Sequence, residues 1–241
     1  MIKRKKIIDK MNQKEIEKEQ MEKDIKKKIE ALEKIILKHK DFYGIDQFAQ
    51  RKRGNILDVV VKTILSQNTS DKLRDIAFDN LKRKYKNMFE LLEVESSEIE
   101  GLIRICGLPA IKTKRIKNAL QKIKERFQNP SDLCKLGKEK AFEFLTSIDG
   151  IGPKSAEVIL AFGCGFDTFP VDTHISRIMT RLGIATGSRE KIYRLVSPHF
   201  KNKILSHIFL INHGRNICKA LKPRCDICFF KKICDFYKEK I

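Results

Sequence analysis

Four cysteines close to the end of the chain constrain what this region can fold into. Six, two and five residues separate them: Cys218, Cys225, Cys228 and Cys234. So compact a set of thiols is typical of a metal centre. Zinc sites usually combine two C-x2-C pairs, or one pair with spaced histidines, and this segment has one such pair. A 4Fe–4S cluster is held by four thiolates whose spacing varies between families. The spacing therefore favours an iron–sulfur cluster over zinc.

Disulfide bonds are the alternative use for the seven cysteines of the chain. Disulfides persist in oxidising compartments, and the sequence shows no secretory signal. We therefore expect an intracellular protein whose cysteines are reduced. The three cysteines outside the cluster are interpreted as small, buried apolar residues: Cys106, Cys134 and Cys164.

The chain carries a strong positive charge. Its 241 residues include 51 Lys and Arg against 31 Asp and Glu, which gives a formal net charge of +20. Such a charge attracts polyanions, and nucleic acid is the commonest polyanion inside cells; an acidic membrane surface is the alternative on charge alone. No apolar run approaches the roughly 18 residues of a membrane span. We expect a nucleic-acid partner and no membrane insertion.

Helical periodicity runs through most of the sequence, whereas alternating strand patterns are scarce. Residues 55–67 predict an apolar core helix, and residues 113–127 predict a basic amphipathic helix. The polar residues 1–28, with the basic segment Lys3-Arg4-Lys5-Lys6, are interpreted as a basic N-terminal extension. An apolar stripe predicts a further amphipathic helix before about residue 40: Ile25, Ile29, Leu32 and Ile36. We therefore predict an all-α fold.

The segment 141–160 has the pattern of two helices joined by a tight hairpin. Gly150 and Gly152 let the backbone turn without a Cβ in the way, and Pro153 follows at the position that proline prefers at a helix start. The hairpin amides can then point at a phosphate oxygen. This helix–hairpin–helix predicts sequence-independent DNA binding through Gly150 and Gly152. An ordinary corner between two helices is the alternative.

Lys154 and Asp172 are the candidate catalytic residues. Lys154 lies in the first turn of the helix that Pro153 opens, where the positive end of the helix dipole disfavours an ammonium group. Such a lysine could bind phosphate as a point charge or act as a nucleophile. Asp172 lies at a predicted helix start, where an aspartate commonly serves as the N-cap. A capping role and a functional role are compatible.

Together these motifs resemble the endonuclease III family of DNA glycosylases over residues 55–236. Gly150-Ile151-Gly152-Pro153-Lys154 is similar to the family hairpin with its lysine nucleophile, and Val171-Asp172-Thr173-His174 is similar to its aspartate motif. The four terminal cysteines have the family's cluster spacing. Residues 65–71 are similar to the segment that lines the damage pocket, where Asn68 takes the place of a gap-filling glutamine. Asp149 stands where the family usually has proline.

The resemblance implies a helix–hairpin–helix glycosylase fold in two lobes. Residues 55–166 would form a six-helix barrel lobe that contains the hairpin. Residues 29–54 and 167–241 would form an iron–sulfur cluster lobe, with the DNA cleft between the lobes. The extension 1–28 has no counterpart in this resemblance.

The resemblance also implies a function: a base-excision-repair DNA glycosylase with abasic-site (AP) lyase activity. Its partner would be double-stranded DNA that contains damaged bases or abasic sites, with oxidised pyrimidines as the expected lesions. Lys154 would attack C1′, and Asp172 would help to deprotonate the amine. We expect a cytoplasmic, nucleoid-associated monomer.

Two alternatives stay open. A monofunctional glycosylase that removes uracil or thymine opposite guanine would not need Lys154 as a nucleophile. A non-catalytic DNA-binding scaffold would not explain Lys154 together with Asp172.

Overall fold

The computed structural model describes residues 2–44 and 54–239, with side chains described at residue 13 and from residue 15 onward. Helices form the regular structure, and no β-strand occurs in these ranges. This confirms the all-α prediction. Among the described residues, no helix is both long and apolar enough to cross a membrane. Contacts divide the chain into a terminal unit, Met1–Gln50 with Val171–Ile241, and a central unit, Arg51–Pro170.

Where the structure describes their connections, the helices are joined by loops and 3₁₀ turns, and a π-helical turn, Leu160–Cys164, continues directly from one of them. In chain order they are α1 Ile2–Lys38, α2 Ile56–Leu65, α3 Asp71–Lys84, α4 Ser96–Ile103, α5 Pro109–Arg126, α6 Asp132–Lys135, α7 Lys138–Thr146, α8 Pro153–Ile159, α9 Thr173–Arg181, α10 Arg189–Val196, α11 Lys203–Asn216 and α12 Asp235–Lys238.

Helix α1 packs on the terminal unit through one apolar stripe. The stripe predicted from the sequence is buried: Ile25, Ile29, Leu32 and Ile36. On the same helix the buried Glu33 accepts a hydrogen bond from the backbone N–H of Asn202 at 2.8 Å. Lys28 Nζ donates to the carbonyl of Gly183 and forms an ion pair with Asp235 at 3.1 Å. The side chains of the basic segment 3–6 lie outside the described residues.

Helix α2 is the centre of the central unit. Most of its residues are buried, among them Val60, Ile64 and Leu65. Asn55 Oδ1 accepts a hydrogen bond from the N–H of Leu57 at 2.9 Å and so caps the helix start. The other helices of the unit join α2 in one apolar cluster. Because burying each large aliphatic side chain contributes about 1.5–3 kcal/mol, this cluster dominates the stability of the unit.

Both helices predicted in this unit from the sequence are present, with shifted bounds. The apolar helix predicted over residues 55–67 is α2, which ends at Leu65. The basic helix predicted over residues 113–127 is α5, which begins one turn earlier at Pro109. Proline is favoured in the first turn of a helix because its fixed φ suits that position and it needs no backbone hydrogen bond there.

Two cysteines of the central unit differ from the prediction. Cys134 and Cys164 form a disulfide bond, with 5.2 Å between their Cα atoms, so the prediction that both are reduced is wrong. Cys134 lies in α6, which packs against the π-helical turn that ends at Cys164. The pairing depends on that packing, which the spacing of the two thiols does not reveal. Cys106 is free and buried, as predicted.

Candidate functional site

The hairpin between α7 and α8 confirms the predicted helix–hairpin–helix. Gly150 has a φ of +91°, a conformation that glycine adopts without steric cost. Gly152 is the N-cap residue of α8 and brings no side chain to cap the first amides. Pro153 follows in the first turn. The backbone at the start of α8 is therefore left for an external hydrogen-bond acceptor.

Lys154 is exposed in the first turn of α8. The opposite side of the helix is anchored in the core, because Ala156 and Ile159 are fully buried. Asp149 is exposed in the hairpin, and its carbonyl accepts a hydrogen bond from Asn118 at 3.4 Å. The amine of Lys154 is thus presented to solvent from a well-packed helix.

A buried lysine organises the turn that follows α2. Lys112 is 2% exposed, and its Nζ donates to the carbonyl of Leu65 at 2.9 Å, to Thr69 Oγ1 at 2.6 Å and to the carbonyl of Cys106 at 2.7 Å. Burial lowers the pKa of Lys112. Three acceptors around one ammonium group tie the turn after α2 to the turn before α5.

Each of these two turns exposes one residue in the left-handed region. Asn68 has a φ of +53° and Leu108 a φ of +52°. Asparagine tolerates this conformation, whereas leucine adopts it at a cost of about 1–2 kcal/mol. The Leu108 side chain is 51% exposed. A strained and exposed apolar side chain suggests a contact with a partner.

The side chain of Gln67 connects the turn after α2 to the hairpin. Its Nε2 donates to the carbonyl of Gly150 at 2.8 Å, and its Oε1 accepts from Arg115 Nη1 at 2.7 Å. Arg115 also packs against Gly150, since a Cβ at Gly150 would lie 2.5 Å from Arg115 Cγ. Three segments of the central unit therefore meet at Gln67.

In the terminal unit, Asp172 is the N-cap of α9 and is 6% exposed. Its Oδ1 accepts hydrogen bonds from the backbone N–H groups of His174 and Ile175, both at 2.9 Å. The capping role expected from the sequence is confirmed. The two hydrogen bonds fix the orientation of the carboxylate.

The four terminal cysteines line one small cavity: Cys218, Cys225, Cys228 and Cys234. All four are free thiols. Burial, reinforced by the other three cysteines, raises the pKa of Cys228 to about 11, and burial also raises the pKa of Cys234. A coordinating cation would remove these protons. Across the described ranges, no three His, Cys, Asp or Glu side chains are placed to hold a single metal ion.

Two further residues of the terminal unit contact these thiols. Arg181 Nη1 donates to Cys218 Sγ at 3.3 Å and to the carbonyl of Lys219 at 2.7 Å. His213 Nε2 lies 3.3 Å from Cys228 Sγ. Burial lowers the pKa of His213 to about 4, which leaves the imidazole neutral at pH 7. The spacing of the histidines in the sequence does not single out His213.

A comparison with protein families shows to which superfamily the chain belongs. The model of the HhH-GPD superfamily, described as base excision DNA repair proteins, matches residues 61–200. The chain belongs to this superfamily. The predicted glycosylase fold and the predicted class of DNA repair protein are thereby confirmed.

Two similar members of the superfamily are both named Endonuclease III. The protein of Sulfolobus acidocaldarius is 35% identical over 221 residues, which cover 86% of this chain and 96% of that protein. The protein of Rickettsia felis is 32% identical over 192 residues, which cover 78% of this chain and 86% of that protein. The resemblance inferred from the motifs is therefore confirmed over most of the chain.

Solved structures that share this fold are named for different activities. A trapped covalent intermediate of endonuclease III with DNA has a TM-score of 0.74 at 23% identity and covers 89% of this chain and 98% of its own. A thermostable thymine-DNA glycosylase has the same TM-score of 0.74 at 19% identity and covers 88% of this chain and 98% of its own. The backbone fold therefore does not distinguish these two activities.

The site residues predicted from the sequence fall into three groups. The four cysteines share one cavity of the terminal unit. Asn68 and the hairpin of the central unit are connected through Gln67. Asp172 belongs to the terminal unit and Lys154 to the central unit. Lys112 and Arg115 could not be recognised in the sequence, and Gln67 belongs to the predicted segment 65–71 without a role of its own there. The partners of all three residues include ones that are distant along the chain.

Proposed function

We propose that the chain removes damaged bases from double-stranded DNA and then nicks the strand, with Lys154 as the nucleophile. The observation that carries this proposal is the exposed Lys154 at the start of α8, directly after the hairpin. A bifunctional DNA glycosylase and AP lyase needs an amine there, because attack by an amine yields the Schiff base from which the strand is cut. The Endonuclease III relatives support this assignment.

The chemistry follows from an amine at C1′. Neutral Lys154 attacks C1′, the bond from C1′ to the base breaks, and the base leaves with the bonding electrons and takes up a proton. The attached amine loses a proton, its nitrogen forms a double bond to C1′, and the bond from C1′ to O4′ breaks. O4′ takes up a proton as the sugar ring opens to the Schiff base. Removal of a proton from C2′ then expels the 3′ phosphate by β-elimination. Hydrolysis of the Schiff base returns the amine.

Asp172 is the proposed proton acceptor for the Lys154 amine. Its Oδ1 is held by two backbone N–H groups of α9. Because a carboxylate has a second oxygen, the capped group can still take a proton or stabilise positive charge that develops on the sugar. The cap holds this acid–base group in a fixed orientation.

Gly150, Gly152, Asn68 and Leu108 are the proposed DNA contacts. The uncapped amides that follow Gly152 suit a phosphate oxygen. A base inside a duplex must be flipped out at a cost of a few kcal/mol, and the gap that it leaves needs filling. Asn68 is exposed on one turn and Leu108 on the other, and Lys112 ties the two turns together. An amide and an apolar wedge placed in this way suit that gap.

Oxidised pyrimidines are the proposed lesions. The alternative, a monofunctional thymine or uracil glycosylase, is compatible with the fold, since a thymine-DNA glycosylase shares it. Lys154 favours the bifunctional enzyme, because the monofunctional reaction needs no amine nucleophile.

We place the enzyme in the cytoplasm as a monomer acting on nucleoid DNA.

The proposed cofactor is a 4Fe–4S cluster bound by Cys218, Cys225, Cys228 and Cys234. Four free thiols around one cavity match the ligand set of such a cluster. The cluster supplies structural order, because it joins the loop from Cys218 to Cys234 at four points. Arg181 steadies this loop through the carbonyl of Lys219.

A panel of duplexes tests the proposed function. One duplex carries an oxidised pyrimidine, one thymine opposite guanine, one uracil opposite guanine and one a preformed abasic site. Base release and strand nicking are measured separately. We expect both for the oxidised pyrimidine, and nicking of the abasic duplex. Base release from the mismatches without nicking would support the monofunctional alternative, and inertness on every duplex would support the scaffold.

A further inference from the structure

Gln67 is fixed at both ends of its amide group. The amide nitrogen donates to the hairpin carbonyl of Gly150, and the amide oxygen accepts from the guanidinium of Arg115. Rotating the amide by half a turn would put donor against donor and acceptor against acceptor. The two partners therefore determine one orientation of the Gln67 side chain.

Arg115 holds the hairpin in a second way. Its aliphatic stem lies against Gly150, where any Cβ would collide with it. Lys112 precedes Arg115 by three residues and so lies on the same side of α5. Because Lys112 binds the carbonyls of Leu65 and Cys106, this side of α5 is tied firmly to the turn after α2.

We propose that Gln67 and Arg115 are positioning residues that fix the hairpin, and with it Lys154, relative to the turn that carries Asn68. This inference rests on the proposed roles of Lys154 and Asn68. Gly150 precedes Lys154 by four residues, and its carbonyl is the atom that Gln67 holds. We call the contacts of Gln67 and Arg115 with Gly150 the clamp. Loss of the clamp lets the Lys154 amine move away from the flipped nucleotide. A misplacement of about 1 Å can slow a reaction on the order of a hundredfold.

The Gln67→Glu variant separates positioning from stability. A glutamate keeps an acceptor for Arg115 and gains a charge-assisted hydrogen bond, which offsets the lost contact with Gly150, so we expect little change in the melting temperature. It has no N–H to donate to the Gly150 carbonyl, and its carboxylate oxygen would repel that carbonyl. The hydrogen bond from residue 67 to the hairpin is therefore lost, while the hydrogen bond between residue 67 and Arg115 stays.

The measurements are the single-turnover rate of base release and the rate of borohydride trapping on a preformed abasic duplex. Both rates are measured at saturating enzyme, so that weaker DNA binding does not lower them. We expect Gln67→Glu to slow both rates about tenfold or more. Gln121→Glu, the same charge change at an exposed position of α5, serves as the matched control and should leave both rates unchanged.

A double variant tests whether the two residues act as one clamp. If they do, Gln67→Ala with Arg115→Ala should be no slower than the slower single variant, because residues that act as a unit are not additive. Slowing by the product of the two single effects would contradict a shared clamp.

Three results would overturn the inference. The first is a Gln67→Glu enzyme that traps abasic DNA at the wild-type rate. The second is slower base release with unchanged trapping, which would place Gln67 in base recognition instead. The third is a set of variants whose rates fall only as their melting temperatures fall. A wild-type enzyme that gives no trapped adduct would instead refute the proposed function, so the two failures are distinguishable.

Discussion

Reduction of the bond between Cys134 and Cys164 should weaken the central unit strongly. The two cysteines are 30 residues apart, and the loop that they close contains α7, the hairpin and all of α8, including Lys154. Closing a loop of this length removes chain entropy from the unfolded state worth about 3.6 kcal/mol. For a unit of this size the loss corresponds to a fall of roughly 10–15 °C in melting temperature.

The assay compares thermal unfolding of protein purified without reductant before and after treatment with a small dithiol. Cys134→Ser is the control for effects of the dithiol on the cluster, because this variant lacks the bond and should melt at the same temperature with and without dithiol. Alkylation followed by mass spectrometry reports which thiols are free. The reasoning is refuted if alkylation shows Cys134 and Cys164 going from oxidised to reduced while the wild-type melting temperature stays the same.

Three further predictions concern the cluster, the acid–base group and the extension. The protein should purify brown with about four irons and four sulfides per chain, and Cys228→Ser should bleach it; stoichiometric zinc without sulfide would contradict the cluster. Asp172→Asn should keep its melting temperature, since asparagine caps helices equally well, while single-turnover base release slows roughly a hundredfold to ten-thousandfold; a wild-type rate would remove Asp172 from the chemistry. Deletion of residues 1–24 ends before the buried Ile25 and should leave the rate of base release unchanged. It should flatten the plot of the logarithm of the DNA-binding constant against the logarithm of the salt concentration by about 0.9 for each phosphate that the extension neutralises. An unchanged slope would exclude the extension from DNA binding.

Local patterns in the sequence were sufficient for the helices and the hairpin. The stripe Ile25, Ile29, Leu32 and Ile36 is buried because helical spacing places these residues on one face. The glycines of the hairpin are needed for backbone reasons that act within a few residues, as the φ of Gly150 shows. The cysteines that share a cavity were found from their short spacing alone.

Contacts between distant segments could not be predicted in this way. Gln67 meets Arg115 across 48 residues and Gly150 across 83, and neither separation leaves a periodic signal. Lys112 lies in a basic helix whose other lysines suggest a solvated face, yet it is buried because three acceptors surround its ammonium group. The disulfide could not be predicted for the same reason, since the packing of α6 on the π-helical turn brings its two thiols together.

Borohydride trapping tests the central claim, that Lys154 is the nucleophile, most directly. Reduction of a Schiff base leaves a stable covalent link between protein and DNA. The wild-type enzyme should form this adduct on a duplex with an oxidised pyrimidine and on an abasic duplex, and Lys154→Ala should form none on either. Lys140→Ala, which removes another exposed lysine of the central unit, should trap as the wild type does. An adduct formed by Lys154→Ala at the wild-type yield would contradict the account.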